Sequence, residues 1–273
     1  MSDRTVLITG TSSGIGLATA VAAACEGWHV IATMRDTAKA GELLASAQEA
    51  GVAVDVRVLD VTDPASVEAC LAGVDRLDAL VNNAGAGHVG TLEQESVQEV
   101  RAVMEVNFFG VLNVTKAALP LLRASRGRVL TVTSVGGVIG QPFNEAYCAA
   151  KFAVEGFMES LAPVAATAGV SVSVVEPGAV ASEFVANVGI GDDALEQAGP
   201  YAPALAAYLE RTRGAFAAAQ APQEVAARIV ELLAAERPAF RLLTSDTARA
   251  FAGTKLKDLD GSAVQAMTAG WVA

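Results

Sequence analysis

The chain has 273 residues, and 52% of them are hydrophobic, which is enough to bury one large core. Thirty acidic residues against nineteen basic ones give a net charge of −11, which disfavours binding to nucleic acids and anionic membranes. Three cysteines without a Cys-x-x-Cys pair and only two histidines argue against a disulfide framework or a metal site. No apolar run reaches the roughly twenty residues of a membrane span, and the first residues lack a signal-peptide layout. We therefore expect a cytoplasmic, single-domain protein with no membrane span.

Short apolar runs alternate with longer amphipathic segments along most of the chain. The apolar runs carry Val, Leu and Ile on both faces, which is typical of strands in a buried parallel sheet. The predicted strands are Val6–Thr9, Val30–Thr33, Val54–Leu59, Ala79–Asn82, Arg128–Thr133, Val170–Val175 and Phe240–Leu243. The predicted helices are Gly16–Glu26, Ala38–Ala50, Ala65–Ala72, Val97–Leu122, Ala146–Ala168 and Gln223–Ala235. This alternation predicts an α/β fold, namely a Rossmann-type doubly wound parallel sheet of about seven strands flanked by helices.

Two segments do not follow the alternation. The segment Phe184–Pro222 is rich in Ala, Gly and Pro and has no strand signal, and we interpret residues 184–222 as an insertion that covers the substrate. Residues 246–273 are polar and show no clear period, and no role is assigned to them. The expected organisation is thus a dinucleotide-binding catalytic domain over residues 1–245, followed by a tail.

The first predicted strand ends in a loop with three glycines, within the sequence LITGTSSGIG. A helix begins directly after it, so free N–H groups and the helix dipole favour a phosphate there, and glycines let the backbone approach it. The spacing is Gly-x-x-x-Gly-x-Gly, and no Gly-Lys-Ser/Thr follows to make a P-loop. The loop predicts a pyrophosphate site, and the alternative is a tight turn without a ligand. Its residues are Gly10, Ser12, Ser13, Gly14, Ile15 and Gly16.

Six further motifs follow in the chain. They are LDVTD with Asp60, NNAG from Asn82 to Gly85, MEVNFFG with Asn107, TVTSVGG with Ser134, EAYCAAK with Tyr147 and Lys151, and EPGAVAS from Glu176 to Ser182. In this order and at these spacings they resemble the short-chain dehydrogenase/reductase family, over residues 4 to about 245. The stretches VIATMRD and PFNEAYCAAKFAVEGFMESLA are most similar to the branch of estrogenic 17β-hydroxysteroid dehydrogenase and its retinol dehydrogenase relatives. The resemblance implies a nicotinamide-dependent oxidoreductase.

Tyr147 and Lys151 lie four residues apart in a predicted helix, so both project from one face. We expect the ammonium to lower the tyrosine pKa from its usual value of about 10, which makes Tyr147 an acid/base. Ser134 can donate a hydrogen bond to the same carbonyl oxygen. By resemblance, Lys151 also binds the nicotinamide ribose, and Asn107 anchors a water beside it. Each residue alone has an ordinary structural interpretation, but their joint occurrence favours the catalytic tetrad of the family.

The end of the second strand predicts the choice of cofactor. NAD enzymes generally place an acidic residue there, whereas this chain has Met34 and then Arg35, which can fork onto a 2′-phosphate. We therefore expect NADP(H). Two alternatives stay open, because Asp36 could pair with Arg35 and Lys39 could take its role. The resemblance places the remaining cofactor contacts at Asp60, Val61, Asn83, Ala84, Gly85, Tyr147, Lys151, Pro177, Gly178, Val180 and Ser182.

These observations predict hydride transfer between NADP(H) and a carbonyl or secondary alcohol, with Tyr147 as the acid/base. The substrate is expected to be hydrophobic, such as a steroid-, retinoid- or polyketide-like ketone. The predicted pocket residues are Val135, Gly136, Gln141, Pro142 and Asn144.

Three other functions are compatible with a dinucleotide site. They are a catalytically silent NADP(H)-binding sensor or scaffold, an NAD-dependent dehydrogenase, and an epimerase or dehydratase on a related architecture. A serine hydrolase is excluded, because Val132 stands where the Gly-x-Ser-x-Gly motif around Ser134 requires glycine. The resemblance also implies a homodimer or homotetramer, formed through the helices predicted at 97–122 and 146–168.

Overall fold

The computed structural model describes residues 4–182 and 194–272. Its seven strands form one parallel sheet in the order β3-β2-β1-β4-β5-β6-β7. The strands are β1 Thr5–Thr9, β2 His29–Met34, β3 Asp55–Val58, β4 Ala79–Asn82, β5 Arg128–Val132, β6 Ser171–Glu176 and β7 Arg241–Leu243. The strand order changes direction between β1 and β4, and ligands of such sheets bind in the crevice at that point. The predicted fold is confirmed.

Helices cover both faces of the sheet, in the way a doubly wound fold requires. The α-helices of the described residues are α1 Gly14–Cys25, α2 Gly41–Glu49, α3 Pro64–Leu71, α4 Val97–Met104, α5 Gly110–Ser125, α6 Glu145–Ala166, α7 Ala194–Gln197, α8 Ala202–Ala217, α9 Pro222–Ala234, α10 Asp246–Lys257 and α11 Ser262–Ala269. Helices α1, α2 and α9 pack on one face, through Leu17, Leu43 and Ile229. Helices α3, α5 and α6 pack on the other, around Val114 and Met158.

The helix predicted at Val97–Leu122 is interrupted. Between α4 and α5 the residues Glu105–Phe109 form a π-helical turn, and such a turn carries one extra residue inside an α-helix. The continuous stretch Val97–Ser125 is long and apolar enough, by length and composition, to cross a membrane. Its inner side chains, including Val111 and Leu122, pack in the sheet core, as expected for a core helix of an α/β fold.

The two segments that do not follow the alternation contain more helix than the sequence predicts. Within 184–222, the part 184–193 lies outside the described residues, whereas α7 and α8 form in the rest. The tail forms α10 and α11. Phe143 and Tyr208 share an apolar cluster with Trp271 near the end of the tail. The tail therefore packs against α8, which belongs to the segment predicted to cover the substrate.

Candidate active site

The three glycines after β1 are required by close backbone contacts. Gly10 and Gly14 have φ angles of +71° and +59°, which residues other than glycine rarely adopt. A Cβ on Gly10 would lie 2.8 Å from the Cα of Ala84, and one on Gly16 would lie 2.1 Å from the carbonyl oxygen of Gly10. The Asn83 amide also donates to the carbonyls of Thr9 and Gly10, each at 3.0 Å. The loop is thus held against the turn after β4, and Asn83, Ala84 and Gly85 form its opposite wall.

The first turn of α1 is available to an anion. Ser13 is the N-cap residue but its side chain makes no capping hydrogen bond, and the first turn has no acidic residue. Beside it lies a cavity of about 320 Å³, lined among others by Ser13, Gly14 and Ser182. Free N–H groups and the helix dipole favour an anion here, and the glycines leave the backbone accessible to it. These features fit the pyrophosphate of a dinucleotide. Ser12 and Ile15 complete this loop.

Arg35 follows the end of β2 and is exposed, and within residues 4–182 and 194–272 it forms no ion pair. The Asp36 carboxylate instead accepts from the N–H of Ala38 at 3.0 Å and caps a short 3₁₀ turn. At the end of β3, the Asp60 carboxylate accepts from the N–H of Thr62 at 2.9 Å. Val61 beside it is buried. These residues border the sheet edge where an adenosine would lie.

Ser134 and Tyr147 meet at the carboxyl end of β5. Ser134 opens the 3₁₀ turn Val135–Gly137, and its Oγ accepts from the Gly136 N–H at 2.9 Å. Its hydroxyl also forms a hydrogen bond with Tyr147, which α6 presents to the same point. A Cβ on Gly136 would lie 3.3 Å from both Ser134 Oγ and Tyr147 Cε1. Glycine at this position therefore leaves both hydroxyls accessible to a substrate oxygen.

Lys151 and Asn107 are the other two residues of the predicted tetrad. The Lys151 Nζ donates to the carbonyl of Val132 at 3.2 Å and lies 5.7 Å from the centre of the Tyr147 ring. Asn107 is fully buried in the π-helical turn, and its amide donates to Ala86 at 2.9 Å. A Cβ on Gly85 would lie 2.9 Å from Asn107 Oδ1 and 3.6 Å from Lys151 Nζ. The structure thus brings the four predicted catalytic residues together.

The electrostatics of the tetrad differ from the sequence-based expectation in one respect. Burial raises the pKa of Tyr147 above its usual value, and the hydrogen bond with Ser134 opposes this rise only in part. Burial also lowers the pKa of Lys151 to about 8, although Glu155 opposes this change. The expected lowering of the tyrosine pKa is therefore wrong for this state, because burial has the largest effect on it. Tyr147 is protonated at neutral pH, as a proton donor must be.

The segment after β6 closes the groove between the two halves of the site. The carbonyl of Pro177 accepts from the Val135 N–H at 3.0 Å, which fixes Gly178 beside the Ser134 turn. Val180 pairs with Gln220 as an isolated bridge. A Cβ on Gly14 would lie 3.1 Å from the Cβ of Ser182. The backbone thus runs from the tetrad back to the glycine loop, as contacts along a dinucleotide require.

The five predicted pocket residues lie between the 3₁₀ turn after β5 and the start of α6. Val135 and Gly136 adjoin Ser134 and Tyr147, as predicted. Gln141 and Pro142 line a cavity of about 420 Å³ on the side of α6 that carries Cys148. The Asn144 amide donates to the Tyr208 hydroxyl at 2.5 Å.

Tyr208 and the tail residues in this region were not predicted. Their contacts join α6 to segments far away in the chain, and no local motif reveals such contacts.

The family model described as short chain dehydrogenase matches residues 4–192. The chain belongs to the short-chain dehydrogenase/reductase family. It is 41% identical to "Retinol dehydrogenase 8" of Bos taurus, over 96% of this chain and 88% of that protein. It is also 41% identical to "17-beta-hydroxysteroid dehydrogenase type 1" of Mus musculus, over 96% of this chain and 79% of that protein. The predicted family and branch are confirmed.

Solved structures of the family extend the comparison. A variant of actinorhodin polyketide ketoreductase with NADPH is 30% identical, with a TM-score of 0.73, over 88% of this chain and 95% of that one. A short-chain dehydrogenase/reductase from Burkholderia phymatum in complex with NAD is 25% identical, with a TM-score of 0.80, over 94% of each chain. The protein is thus an oxidoreductase of a family that uses nicotinamide cofactors, and its neighbours include both NADPH and NAD complexes.

Proposed function

We propose that the protein is an NADP(H)-dependent ketoreductase that acts on a hydrophobic carbonyl compound and, in reverse, on the corresponding alcohol. The observation that carries this proposal is the meeting of Ser134, Tyr147, Lys151 and Asn107 at the carboxyl edge of the sheet, next to a glycine loop open to an anion. A sensor without turnover has no need for this complete tetrad.

The residues of the tetrad divide the work of carbonyl reduction. The nicotinamide, when bound, supplies the hydride. Ser134 holds the substrate oxygen by a hydrogen bond, and Tyr147, protonated at neutral pH, donates the proton to it. The Lys151 ammonium stabilises the phenolate that remains. Asn107 fixes the backbone at Ala86 beside the lysine.

Arg35 supports the choice of NADP(H). Its guanidinium is exposed at the end of β2 without an ion pair in the described part of the chain, so it can bind a 2′-phosphate in a bidentate manner. The residue before it is the buried Met34, whose thioether is only a weak acceptor for a ribose 2′-hydroxyl. The NADPH complex of the polyketide ketoreductase agrees with this assignment, and the NAD complex keeps NAD as the alternative.

A steroid-, retinoid- or polyketide-like ketone is the proposed substrate class, since relatives of these three descriptions are similar to this chain. Residues 184–222 are proposed to cover it. Tyr208 of α8 supports this role, because it bonds Asn144 at the start of α6 and packs on Phe143 with 5.7 Å between ring centres. The tail would then hold this cover in place.

We also propose a cytoplasmic homodimer or homotetramer. Helix α6 and the π-helical turn before α5 leave large apolar side chains exposed, namely Phe109, Phe152, Phe157 and Val164. An exposed apolar patch on a monomer commonly marks an interface. The acidic composition supports the absence of a nucleic-acid partner.

Oxidation of NADPH and NADH, followed by absorbance at 340 nm with a panel of hydrophobic ketones and aldehydes, tests the proposal. We expect turnover with a preference for NADPH, and a fall of about 10²–10⁴-fold in Tyr147→Phe, because the proton donor is lost. Ser160→Ala is the control, since this exposed hydroxyl on the same helix donates to the Gly156 carbonyl at 2.9 Å, and it should retain the activity. Tight NADPH binding without turnover would favour a sensor, and failure to bind either nucleotide would contradict the dinucleotide site.

A further inference from the structure

A second polar cluster lies directly beneath the tetrad, and the chemistry above does not use it. Glu155 of α6 is 5% exposed and Glu176 at the end of β6 is fully buried. Arg241 of β7 lies beside both, with its Nη2 3.3 Å from Glu155 Oε2 and its Nε 2.8 Å from Glu176 Oε1. Buried carboxylates are rare unless each charge is paired. Two carboxyl groups here face one guanidinium.

Glu155 is tied to the strand that carries the catalytic serine. The Thr133 hydroxyl, one residue before Ser134, donates to Glu155 Oε1 at 2.5 Å. A Cβ on Gly137 would lie 3.0 Å from the Glu155 Cγ, so this side chain also packs under the 3₁₀ turn. Glu155 follows Lys151 by one helical turn on the same face of α6. Glu155 therefore contacts the turn that carries Ser134 and lies on the helix face that carries Lys151.

The oxygens of Glu176 lack suitable donors. In the described part of the chain neither oxygen accepts an aligned hydrogen bond, and the contact with Arg241 Nε is an ion pair without that alignment. The carboxyl groups of Glu155 and Glu176 are neighbours, because both reach the guanidinium of Arg241. Two ionised carboxylates cannot hydrogen-bond to each other, because neither has a proton to donate. One proton between them satisfies the pair.

The charges around the pair agree with a single proton. The cations that act on it are Arg241 of β7 and Lys151 of α6. Two neighbouring ionised carboxylates in a buried site repel each other strongly, and proteins relieve this by raising one of the two pKa values. Here the pKa of Glu176 rises to about 8, first because the group is buried and then because of the charge of Glu155.

We propose that Glu155 and Glu176 hold one proton between them, and that the carboxylate left on Glu155 is a positioning residue that keeps Lys151 in its ammonium form. Glu176 carries the proton and donates a hydrogen bond to the carboxylate of Glu155. Through Thr133, the same carboxylate fixes the end of β5 from which Ser134 reaches the substrate oxygen. The use of this charge in catalysis rests on the proposed function, whereas the shared proton does not.

Unfolding by urea between pH 5 and pH 8, compared between the native protein and Glu176→Gln, tests the shared proton. A folded-state pKa above the unfolded value gives stability that is present at low pH and lost as pH rises towards 8. Glutamine resembles the protonated acid and has no proton to lose. We therefore expect the unfolding equilibrium constant of the native protein, relative to the variant, to rise by up to about tenfold per pH unit. A ratio that stays constant across this range would overturn the shared proton.

The pH profile of NADPH-dependent reduction tests the positioning role. Removing the charge in Glu155→Gln should lower the lysine pKa further, so the alkaline fall in kcat should begin about one pH unit lower. Glu155→Asp should restore part of the shift, and Glu159→Gln, at an exposed site on the same helix, should leave the profile unchanged. An unshifted profile in a folded Glu155→Gln protein would overturn the role. Because urea unfolding needs no turnover, an inactive native protein would refute the proposed function and leave the shared proton to be judged by its own test.

Discussion

Arg35 decides the cofactor preference in our interpretation of the site. Charge-assisted hydrogen bonds contribute about 1.5–3 kcal/mol, which corresponds to about tenfold to a hundredfold in binding. Arg35→Ala should therefore raise the Kd for NADPH by that factor and change the Kd for NADH little, as measured by fluorescence titration. Lys39→Ala is the matched control, because Lys39 is another exposed cation of the same segment. A loss of NADPH affinity in Lys39→Ala and not in Arg35→Ala would assign the 2′-phosphate to the lysine.

Single residues were predictable where short motifs specify them. The glycine loop, Ser134 and the Tyr147–Lys151 pair could be inferred, because strand ends and helical spacing place them without distant contacts. The Glu155–Arg241 pair could not, since its members are 86 residues apart and only the sheet order joins them. The pKa of Tyr147 was predicted in the wrong direction for a similar reason, because the degree of burial at a site depends on the whole fold.

The tail helices α10 and α11 pack with Trp271 in one apolar cluster. Trp271 is 8% exposed, stacks on Phe251 with ring centres 5.8 Å apart, and lies 4.2 Å from the guanidinium of Arg211 on α8. Trp271→Ala should lower the free energy of unfolding by about 3–5 kcal/mol. It should also raise the KM for the ketone several-fold, because α8 loses its support.

Trp28→Ala is the matched control for this change. Trp28 is 6% exposed in the separate core cluster of α1, α2 and α9, under Arg4. Both variants should be destabilised, as urea unfolding will measure, but only Trp271→Ala should change KM. An equal change of KM in both would mean that the tail stabilises the fold without acting on the substrate cover.

The elements that the sequence did not predict share a physical cause. Helices α8, α10 and α11 have weak periodicity of their own, and they are stabilised by the apolar cluster around Tyr208 and Trp271. Tertiary contacts of this kind override local propensity. The π-helical turn at Glu105–Phe109 was invisible because one extra residue barely disturbs a helical pattern. The core strands and helices, by contrast, have continuous patterns, and their boundaries agree with the predictions to within a few residues.

In the whole molecule, α6 has one face toward the active site and another that is exposed. Its inner face presents Tyr147 and Lys151 to the site, whereas Phe157 on its outer side is 39% exposed and lies edge-on to Phe108, with ring centres 6.1 Å apart. A subunit interface on this outer side would buttress the helix that carries the catalytic pair. Assembly and catalysis would then share one element.

Light scattering across a range of protein concentrations tests this assembly. We expect the mass of two or four subunits for the native protein and a shift towards the monomer for Phe157→Glu, because a buried unpaired carboxylate disfavours the interface. Leu44→Glu is the matched control, since Leu44 is an exposed apolar residue of α2 on the opposite layer, and it should keep the native mass. A native protein that is monomeric at micromolar concentration, or an equal loss of assembly in both variants, would show that this face of α6 is not the interface.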